Sequence, residues 1–201
     1  MQKIVKLYPG EFYHIYDRGN NKENIFLENQ NYTYFLKLWK KYIFPIADTW
    51  AYCLMKNHFH VLVQIHQAIQ TSKVSKTLEV SHYISQQFSN LFNAYAKAIN
   101  KKYTRTGSLF QTRFGRKLVE RNAHLVHLVY YSHFNPQKHR FVQDFKDYPF
   151  SSYHTILAGQ ATSLDRRSVL ELFGDAQEFI EFHRRGSNFA GIQYLVEEDE
   201  L

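Results

Sequence analysis

The sequence predicts an α+β protein built on a ferredoxin-like split βαββαβ antiparallel sheet, with helices on one face and extra helices at the C-terminal end. Short stretches with alternating apolar and polar residues predict the strands. Longer stretches with apolar residues every three or four positions predict the helices. Their order along the chain is strand, helix, strand, strand, helix, strand, helix. This order leaves the second face of the sheet open for chemistry.

The first half of the chain supplies three of the strands and one helix. Residues 11–19 are rich in aromatic and β-branched side chains and are followed by a polar cluster, which predicts a strand and a loop. Residues 28–43 have the apolar spacing of an amphipathic helix. Two strand-like stretches, 49–55 and 59–65, are separated by three residues, which predicts a tight hairpin.

The second half begins with the longest helical pattern, whose apolar residues run through positions 80–99 and which Gly107 is expected to end. A short strand is predicted over residues 114–120. The next helix begins near Asn122 and is expected to end by Pro136, because the residue before a proline resists helical geometry. A last helical region covers residues 168–185.

The composition indicates an ordinary globular chain of 201 residues, 44% of them hydrophobic. We expect one main domain over residues 1–155 and a helical extension with an acidic tail over 156–201. The sequence has no apolar stretch long enough to span a membrane, and its start lacks the apolar centre of a secretory signal. Its single cysteine, Cys53, cannot form an internal disulfide, so a reducing cytoplasm is expected.

The charge balance favours a polyanionic partner. The chain has 25 Lys and Arg against 18 Asp and Glu, a net charge of +7. Four of the acidic residues occupy positions 197–200, so the rest of the chain is more basic than the total indicates. A basic surface without a specific partner is the alternative.

The stretch LMKNHFHVLV, residues 54–63, places two histidines one residue apart in a predicted strand. Side chains at such positions point to the same face and lie about 6–7 Å apart along the chain. His58 and His60 can therefore converge on one metal ion if another segment adds a ligand. A histidine pair on the wetter face of a sheet is the simpler interpretation.

The helix HLVHLVYYSHFNP offers that further ligand. At 100° per residue, Tyr131 and Asn135 share a polar side of this helix. If that side faces the sheet, the Asn135 amide oxygen can join the metal site with the Tyr131 hydroxyl beside it. Read separately, Tyr131 is one of fifteen tyrosines and Asn135 is a helix cap before proline.

Two imidazoles and an amide oxygen are neutral ligands, so a divalent ion keeps its full charge among them. Mixed nitrogen and oxygen ligands without a thiolate favour Mg²⁺ or Mn²⁺ over a structural zinc. Such an ion can polarise a phosphate oxygen and stabilise a departing alkoxide. A tyrosine beside it can attack a phosphodiester and hold one strand end covalently.

A basic segment between the two longest helices has aromatic rings interleaved with its cations, which is typical of proteins that bind single strands. The candidate contacts are Lys101, Lys102, Tyr103, Arg105, Phe110, Arg113, Arg116, Lys117 and Arg121, with Arg18 and Lys22 after the first strand. Alternatively, the rings belong to the core and the cations form an ordinary solvated edge.

Five segments resemble one family: YHIYDRGNNKENIF (13–26), AYCLMKNHFHVLV (51–63), RTGSLFQTRF (105–114), YSHFNPQKHR (131–140) and DYPFSSY (147–153). In that order they are similar to the single-tyrosine, HUH-type transposases of the IS200-like superfamily, and within it to the REP-associated tyrosine transposase branch.

The resemblance implies roles for individual residues. The family's metal-binding histidines correspond to His58 and His60. Its nucleophile lies five residues before the proline, which selects Tyr131 over Tyr130. The polar residue four positions later, Asn135, completes the metal site. Family members act on single-stranded DNA, often beside a small hairpin.

Two positions depart from the family pattern. Lys56 stands where relatives commonly have proline, which affects the stiffness of the turn or a phosphate contact. Asn135 stands where the shorter insertion-sequence members have glutamine. Neither change removes an atom type that the chemistry needs.

The expected function is metal-dependent cleavage and strand transfer of single-stranded DNA through a covalent 5′-phosphotyrosine, at or near hairpins. One alternative is a domesticated protein that binds hairpin DNA or structured RNA without cutting. Another is a metal-dependent hydrolase in which Tyr131 only positions the substrate. A homodimer and a monomer both stay open, and no membrane partner is expected.

Overall fold

The computed structural model describes residues 5–69, 77–111, 113–120, 122–187 and 189–196. Its centre is an antiparallel sheet of four strands in the order β2-β3-β1-β4, which confirms the predicted fold class. The strands are β1 (Phe12–Arg18), β2 (Ala47–Met55), β3 (His58–Ile65) and β4 (Gly115–Leu118).

Seven helices accompany this sheet in the part of the chain that the structure describes. They are α1 (Asn29–Tyr42), α2 (Thr77–Lys102), α3 (Asn122–Lys138), α4 (Tyr153–Leu157), α5 (Arg166–Phe173), α6 (Ala176–Arg185) and α7 (Gln193–Val196). A capping box between Glu28 and Asn31 begins α1, which satisfies backbone groups at its first turn. No described helix is long and apolar enough to cross a membrane.

The predicted hairpin between β2 and β3 is tighter than the sequence suggested. Only Lys56 and Asn57 separate the two strands, and His58 is already the first residue of β3, paired with Met55. On its other side β3 pairs with β1, so that Tyr16 lies opposite His60 and Arg18 lies opposite His58. Residues opposite one another in an antiparallel pair point to the same face.

The first face of the sheet carries the larger core. Side chains such as Ile15, Phe59 and Val61 are buried there together with residues of α1 and α2. This arrangement confirms that the helices of the βαββαβ unit share one face. Each fully buried side chain of this size contributes about 1.5–3 kcal/mol to stability.

The second face is not left open, in contrast to the expectation from the sequence. Trp50, Ala51 and Leu62 point to it and are buried in a second core that includes Leu125 of α3 and Phe179 of α6. These apolar side chains need cover, because leaving them in water would forfeit their burial energy. Residues before and after position 155 therefore pack in the same core.

The prediction that α3 ends by Pro136 was wrong, since the helix continues to Lys138. A Schellman motif ends it. Arg140 has φ 59°, its N–H donates to the Gln137 carbonyl, and the Phe141 N–H donates to the Pro136 carbonyl at 2.8 Å. Pro136 lies in the last turn of α3, so the helical hydrogen bond that is lost with its missing N–H disturbs only the end of the helix.

Two other predicted helix limits differ from the structure. The long helix α2 ends at Lys102 and not at Gly107. The predicted region 168–185 is two helices, since Gly174 adopts φ 108° and the Asp175 side chain caps α6 by accepting the Glu178 N–H at 2.8 Å. The acidic tail, 197–200, lies outside the described residues.

Candidate active site

The two histidines of β3 lie side by side on the second face of the sheet, as the strand alternation predicted. The ring centroids of His58 and His60 are 5.2 Å apart. Both side chains are buried, with 7% and 1% of their surface exposed. They are therefore placed to act together on one ion or phosphate.

The orientation of the His58 ring is set by its neighbour in the turn. Its Nδ1 lies 2.7 Å from the Asn57 side-chain oxygen, which can only accept, so Nδ1 carries the proton. Its Nε2 is buried and has no hydrogen-bond partner among the described residues. Burial, followed by the fields of His60 and His139, lowers the pKa of His58 to about 2. His58 is thus neutral, with its lone pair on Nε2.

His60 is oriented by a histidine that the sequence analysis missed. His14 of β1 places Nδ1 2.9 Å from the Leu195 carbonyl and Nε2 3.1 Å from Nδ1 of His60. Because a carbonyl only accepts, His14 donates from Nδ1, and in its neutral form it accepts from His60 at Nε2. The lone pair of His60 therefore lies on Nε2. Burial lowers the pKa of His60 well below its usual value.

Tyr131 comes from α3 to the same place. Its ring centroid lies 5.5 Å from that of His60, edge to face. The ammonium of Lys138 lies 5.2 Å from its ring centroid, and the Phe189 ring lies 5.4 Å away on the C-terminal segment. Tyr131 is completely buried. Its neighbour Tyr130 instead stacks on Phe189, at 5.7 Å between ring centroids.

Asn135 lies one helical turn after Tyr131 on the same side of α3. Its amide nitrogen donates to the Tyr131 carbonyl at 2.8 Å, which fixes the side-chain orientation. Its amide oxygen Oδ1 is buried and has no hydrogen-bond partner among the described residues. One turn further on, the His139 ring lies 5.0 Å from the His58 ring. Asn135 is therefore bracketed by two residues that contact the histidine pair.

These residues fit a divalent ion. The donor set contains Nε2 of both histidines and Oδ1 of Asn135, all neutral, and two of these atoms are buried acceptors with no partner in the described part of the chain. Burying an unsatisfied acceptor costs about 1–3 kcal/mol, which a bound cation would offset. The described ranges contain no cluster of three or more His, Cys, Asp or Glu side chains arranged for a metal.

A cavity of about 350 Å³ opens beside the histidine pair. Three of the predicted DNA contacts line it, namely Arg18, Lys22 and Arg113. Tyr131 and Asn135 are absent from its wall and lie buried behind it. A phosphate can thus approach the histidines through a basic cavity, whereas the phenol is covered.

Asp17 also lines the cavity and was missed by the sequence analysis. Only 6% of its surface is exposed. Burial raises the pKa of Asp17 to about 7, against the opposing effect of the Arg18 N–H that donates to its carboxylate at 2.8 Å. The carboxyl group therefore changes charge near neutral pH.

Two predicted DNA contacts point away from the histidine pair. Phe110 is a core residue with 6% exposure, so no base can stack on it; its ring packs 5.5 Å from that of Phe92. Arg116 points toward α2, where it donates to the Ser85 hydroxyl at 2.8 Å and lies 4.1 Å from the Phe114 ring centroid. The alternative that rings in this segment belong to the core holds for Phe110.

Other predicted contacts are engaged with acidic residues that precede α1. Lys102 pairs with Glu28, and the Tyr103 hydroxyl donates to the same carboxylate at 2.5 Å. Arg105 pairs with Glu23. Because these acids compensate the positive charges, this group offers a phosphate less than the sequence suggested.

The remaining cations lie at other places. Lys101 is exposed at the end of α2. Lys117 lies beside the cavity, with its ammonium 5.6 Å from the centroid of the Tyr16 ring. Arg121 lies outside the described residues.

Comparisons with known proteins agree with the resemblance drawn from the sequence motifs. No family model matches the chain. A Haemophilus influenzae protein provisionally named a REP-associated tyrosine transposase is 29% identical over 110 residues, which cover 53% of this chain and 59% of that protein. The match thus spans less than two thirds of the relative's length.

A solved structure is similar as well. It is described as a REP-associated tyrosine transposase bound to a REP hairpin, and it superposes with a TM-score of 0.58 at 17% identity. The superposition covers 83% of this chain and 96% of that one. The resemblance drawn from the sequence motifs is therefore confirmed, and the structural similarity supports the fold.

Proposed function

We propose that this protein is a tyrosine transposase of the REP-associated kind, which cleaves and rejoins single-stranded DNA at or near hairpins through Tyr131. One observation carries the proposal: the Tyr131 ring lies 5.5 Å from His60, in contact with the histidine pair of a distant strand. The relative and the solved structure described above carry names that agree with this activity.

The proposed reaction exchanges one phosphoester for another. The Tyr131 phenol oxygen attacks the phosphorus, and the bond from phosphorus to the 3′ oxygen breaks. The phenol's proton is lost and the departing 3′ oxygen gains one, so the products are a free 3′ hydroxyl and a 5′-phosphotyrosine. A later attack by a 3′ hydroxyl reverses the step and joins a new strand.

His58, His60 and Asn135 would hold Mg²⁺ or Mn²⁺. When bound, such an ion polarises the phosphate and stabilises the leaving alkoxide. The chain's own contribution is to fix which atoms bind it. Asn57 and His14 hold the two imidazoles with Nε2 unprotonated, and the Tyr131 carbonyl holds the Asn135 amide so that Oδ1 is the acceptor.

The basic wall of the cavity would hold the DNA backbone. Arg18, Lys22 and Arg113 surround the approach to the histidines. Arg18 also keeps a buried Nε atom without a hydrogen-bond partner in the described ranges. Cations at such positions neutralise phosphates, and binding is then weakened by salt.

The experiment is a covalent capture. Labelled single-stranded DNA carrying a hairpin is incubated with the protein and Mn²⁺, denatured, and examined for label on the protein. We expect an adduct with the wild type, loss of it in Tyr131→Phe, and retention in Tyr130→Phe, which changes the adjacent tyrosine.

An adduct that survives Tyr131→Phe would contradict the assignment of the nucleophile. Substantial cleavage by Tyr131→Phe without bound protein would favour the hydrolase, in which Tyr131 only positions the substrate.

A second candidate function is binding of hairpin DNA or structured RNA without cutting. The observation in its favour is that Tyr131 is fully buried while the basic cavity is open. Tight binding of hairpins without any adduct, across a broad panel of hairpins and with both Mg²⁺ and Mn²⁺, would establish it.

A further inference from the structure

The ring of Tyr16 lies flat against the backbone of the neighbouring strand. Tyr16 of β1 pairs with Gly115 of β4. A Cβ atom added to Gly115 would meet ring carbons of Tyr16 at 2.1 Å, closer than any real contact. The backbone of Gly115 does not have a positive φ. Glycine is therefore required here for the close approach of the ring and not for backbone conformation.

This ring stands in the wall of the cavity beside the histidine pair. Tyr16 lies directly opposite His60 in the β1–β3 register, with 6.4 Å between their ring centroids. Tyr16 and Gly115 both line the cavity, together with His58 and His60. Tyr16 is half-buried, so part of it faces the cavity.

The surroundings of the ring are cationic. The Lys117 ammonium lies 5.6 Å from its centroid, and Arg18 projects from the same face of β1 two residues further on. An aromatic surface flanked by cations is the arrangement with which proteins hold unpaired nucleotides, because the base stacks while its phosphates are neutralised. The cavity volume, about 350 Å³, lies within the range of small-ligand pockets.

We propose that Tyr16 is a stacking platform for one unpaired base of the DNA strand, next to the phosphate presented to His58 and His60. This inference rests on the proposed function and adds the position of a nucleotide to it. Other rings near the histidines cannot take this role, since Phe59 is completely buried in the core and Phe110 nearly so. Gly115 keeps the ring low enough to leave room for a base.

The test measures binding and needs no cleavage. The probe is a labelled DNA hairpin with single-stranded thymidine flanks, in which each flank position in turn is made abasic. Full-length protein carrying Tyr131→Phe is used in EDTA, and Tyr16→Leu, Tyr16→Phe and Gly115→Ala are compared in that background. Gly159→Ala is the matched control, because a Cβ at Gly159 meets nothing within 4 Å.

We expect one flank position at which removing the base weakens binding by roughly 10-fold, within the range for base–aromatic stacking. Tyr16→Leu should weaken binding of the intact probe by a similar factor and should be insensitive to the abasic site at that position. Tyr16→Phe should bind as the parent does, since it retains the ring. Gly115→Ala should weaken binding, whereas Gly159→Ala should not.

If the loss of binding from Tyr16→Leu and the loss from an abasic site multiply at every flank position, the ring and the base act independently. That result would overturn the stacking platform. Unchanged binding by Tyr16→Leu would also overturn it. Both outcomes leave the proposed cleavage standing, since covalent capture tests that separately. If Tyr16 and one base are coupled in binding but no adduct forms in the capture experiment, the stacking platform stands and the proposed cleavage is rejected. Thermal unfolding of each variant identifies a loss of folding. If Tyr16→Leu does not fold, Gly115→Ala with the abasic scan decides, because displacing the ring should remove the sensitivity to the abasic site at that one flank position, and sensitivity equal to the parent's would overturn the platform.

Discussion

Replacing His14 by leucine should weaken metal binding without removing a ligand. In the wild type, His14 accepts the Nδ1 proton of His60, which keeps the lone pair of His60 on Nε2. Leucine has no acceptor, so the buried Nδ1–H group of His60 would lose this partner. The imidazole can then move its proton to Nε2, where it blocks the metal.

The expected size follows from the hydrogen bond that is lost. Leaving a buried donor unsatisfied costs about 1–3 kcal/mol. Loss of such an outer partner typically reduces metal affinity by about 10- to 100-fold, or about 1.4–2.7 kcal/mol. We expect His14→Leu to raise the dissociation constant for Mn²⁺ by that factor, and saturating Mn²⁺ to restore most of the covalent capture.

The measurement is a calorimetric titration of Mn²⁺ into each protein. His66→Leu is the matched control, since His66 follows β3 directly and its partner is Asp48, at 3.2 Å. An unchanged Mn²⁺ affinity in a folded His14→Leu protein would refute the reasoning. Equal losses in both variants would show that any histidine replacement near this strand disturbs the site.

Three further predictions concern the charge of Asp17, the protonation of the buried His183 and the contact of Phe189 with Tyr131. Burial raises the pKa of Asp17 to about 7, so its carboxylate forms above that pH and should weaken binding of a labelled single strand. Asp17→Asn should abolish this pH dependence. Stronger binding by the wild type at higher pH would contradict the prediction. Burial lowers the pKa of His183 to about 4, so between that pH and about 6.5 the unfolded chain binds a proton that the folded chain does not. The contribution of His183 to the free energy of unfolding should therefore fall by about 1.4 kcal/mol per pH unit as the pH drops, in addition to the contributions of the other buried histidines. In urea unfolding, His183→Gln should reduce the slope against pH by that amount, and an unchanged slope would contradict the prediction. Phe189→Ala removes a ring that lies 5.4 Å from Tyr131, so covalent capture should become faster if uncovering the phenol limits its rate. Slower capture by a folded variant would instead indicate that Phe189 positions the phenol.

The shared faces of the four candidate site residues could be predicted from local periodicity, whereas the choice of Tyr131 over Tyr130 came from the family resemblance. Strand alternation puts His58 and His60 on one face, and helical spacing puts Tyr131 and Asn135 on one side of α3. The two patterns meet because the second face of the sheet carries apolar residues that α3 covers. Strand alternation and helical spacing can both be read from short stretches of sequence.

Residues whose role depends on pairing between distant strands could not be found in this way. Arg116 and Lys117 are adjacent in β4, so alternation predicts that they point to opposite faces. Which of the two lies near the cavity depends on the register with β1, which sends Arg116 toward α2 and places Lys117 beside Tyr16. Phe110 forms a bridge with Gly19 beyond the end of β1, which fixes its ring in the core. Composition alone treats all these residues as one basic, aromatic segment.

His14 shows the same limit more sharply. Its role depends on the carbonyl of Leu195, which lies 181 positions later in the chain. The only signal in the sequence is the alternation of His14, Tyr16 and Arg18 along β1, which places them on one face. That pattern marks a polar strand face but does not show which ring will hold a ligand in position.

The C-terminal segment, residues 189–196, contacts the candidate site at two places. Leu195 contacts the histidine side and Phe189 contacts the tyrosine side, and the proposed reaction requires different behaviour of the two. The Leu195 carbonyl accepts a hydrogen bond from His14, and His14 in turn sets which nitrogen of His60 is protonated. Leu195 therefore has to keep its position if Nε2 of His60 is to remain available to a metal ion. Phe189 packs against the buried Tyr131, so under the proposed reaction this end would have to move before the phenol could reach a phosphate. If Tyr131 is the nucleophile, a movement confined to the Phe189 end meets both demands, because it uncovers Tyr131 while Leu195 keeps its hydrogen bond. Under the proposed reaction the extension would then take part in catalysis, because a DNA strand could reach the phenol while the histidines stay aligned only if the segment moved at one end.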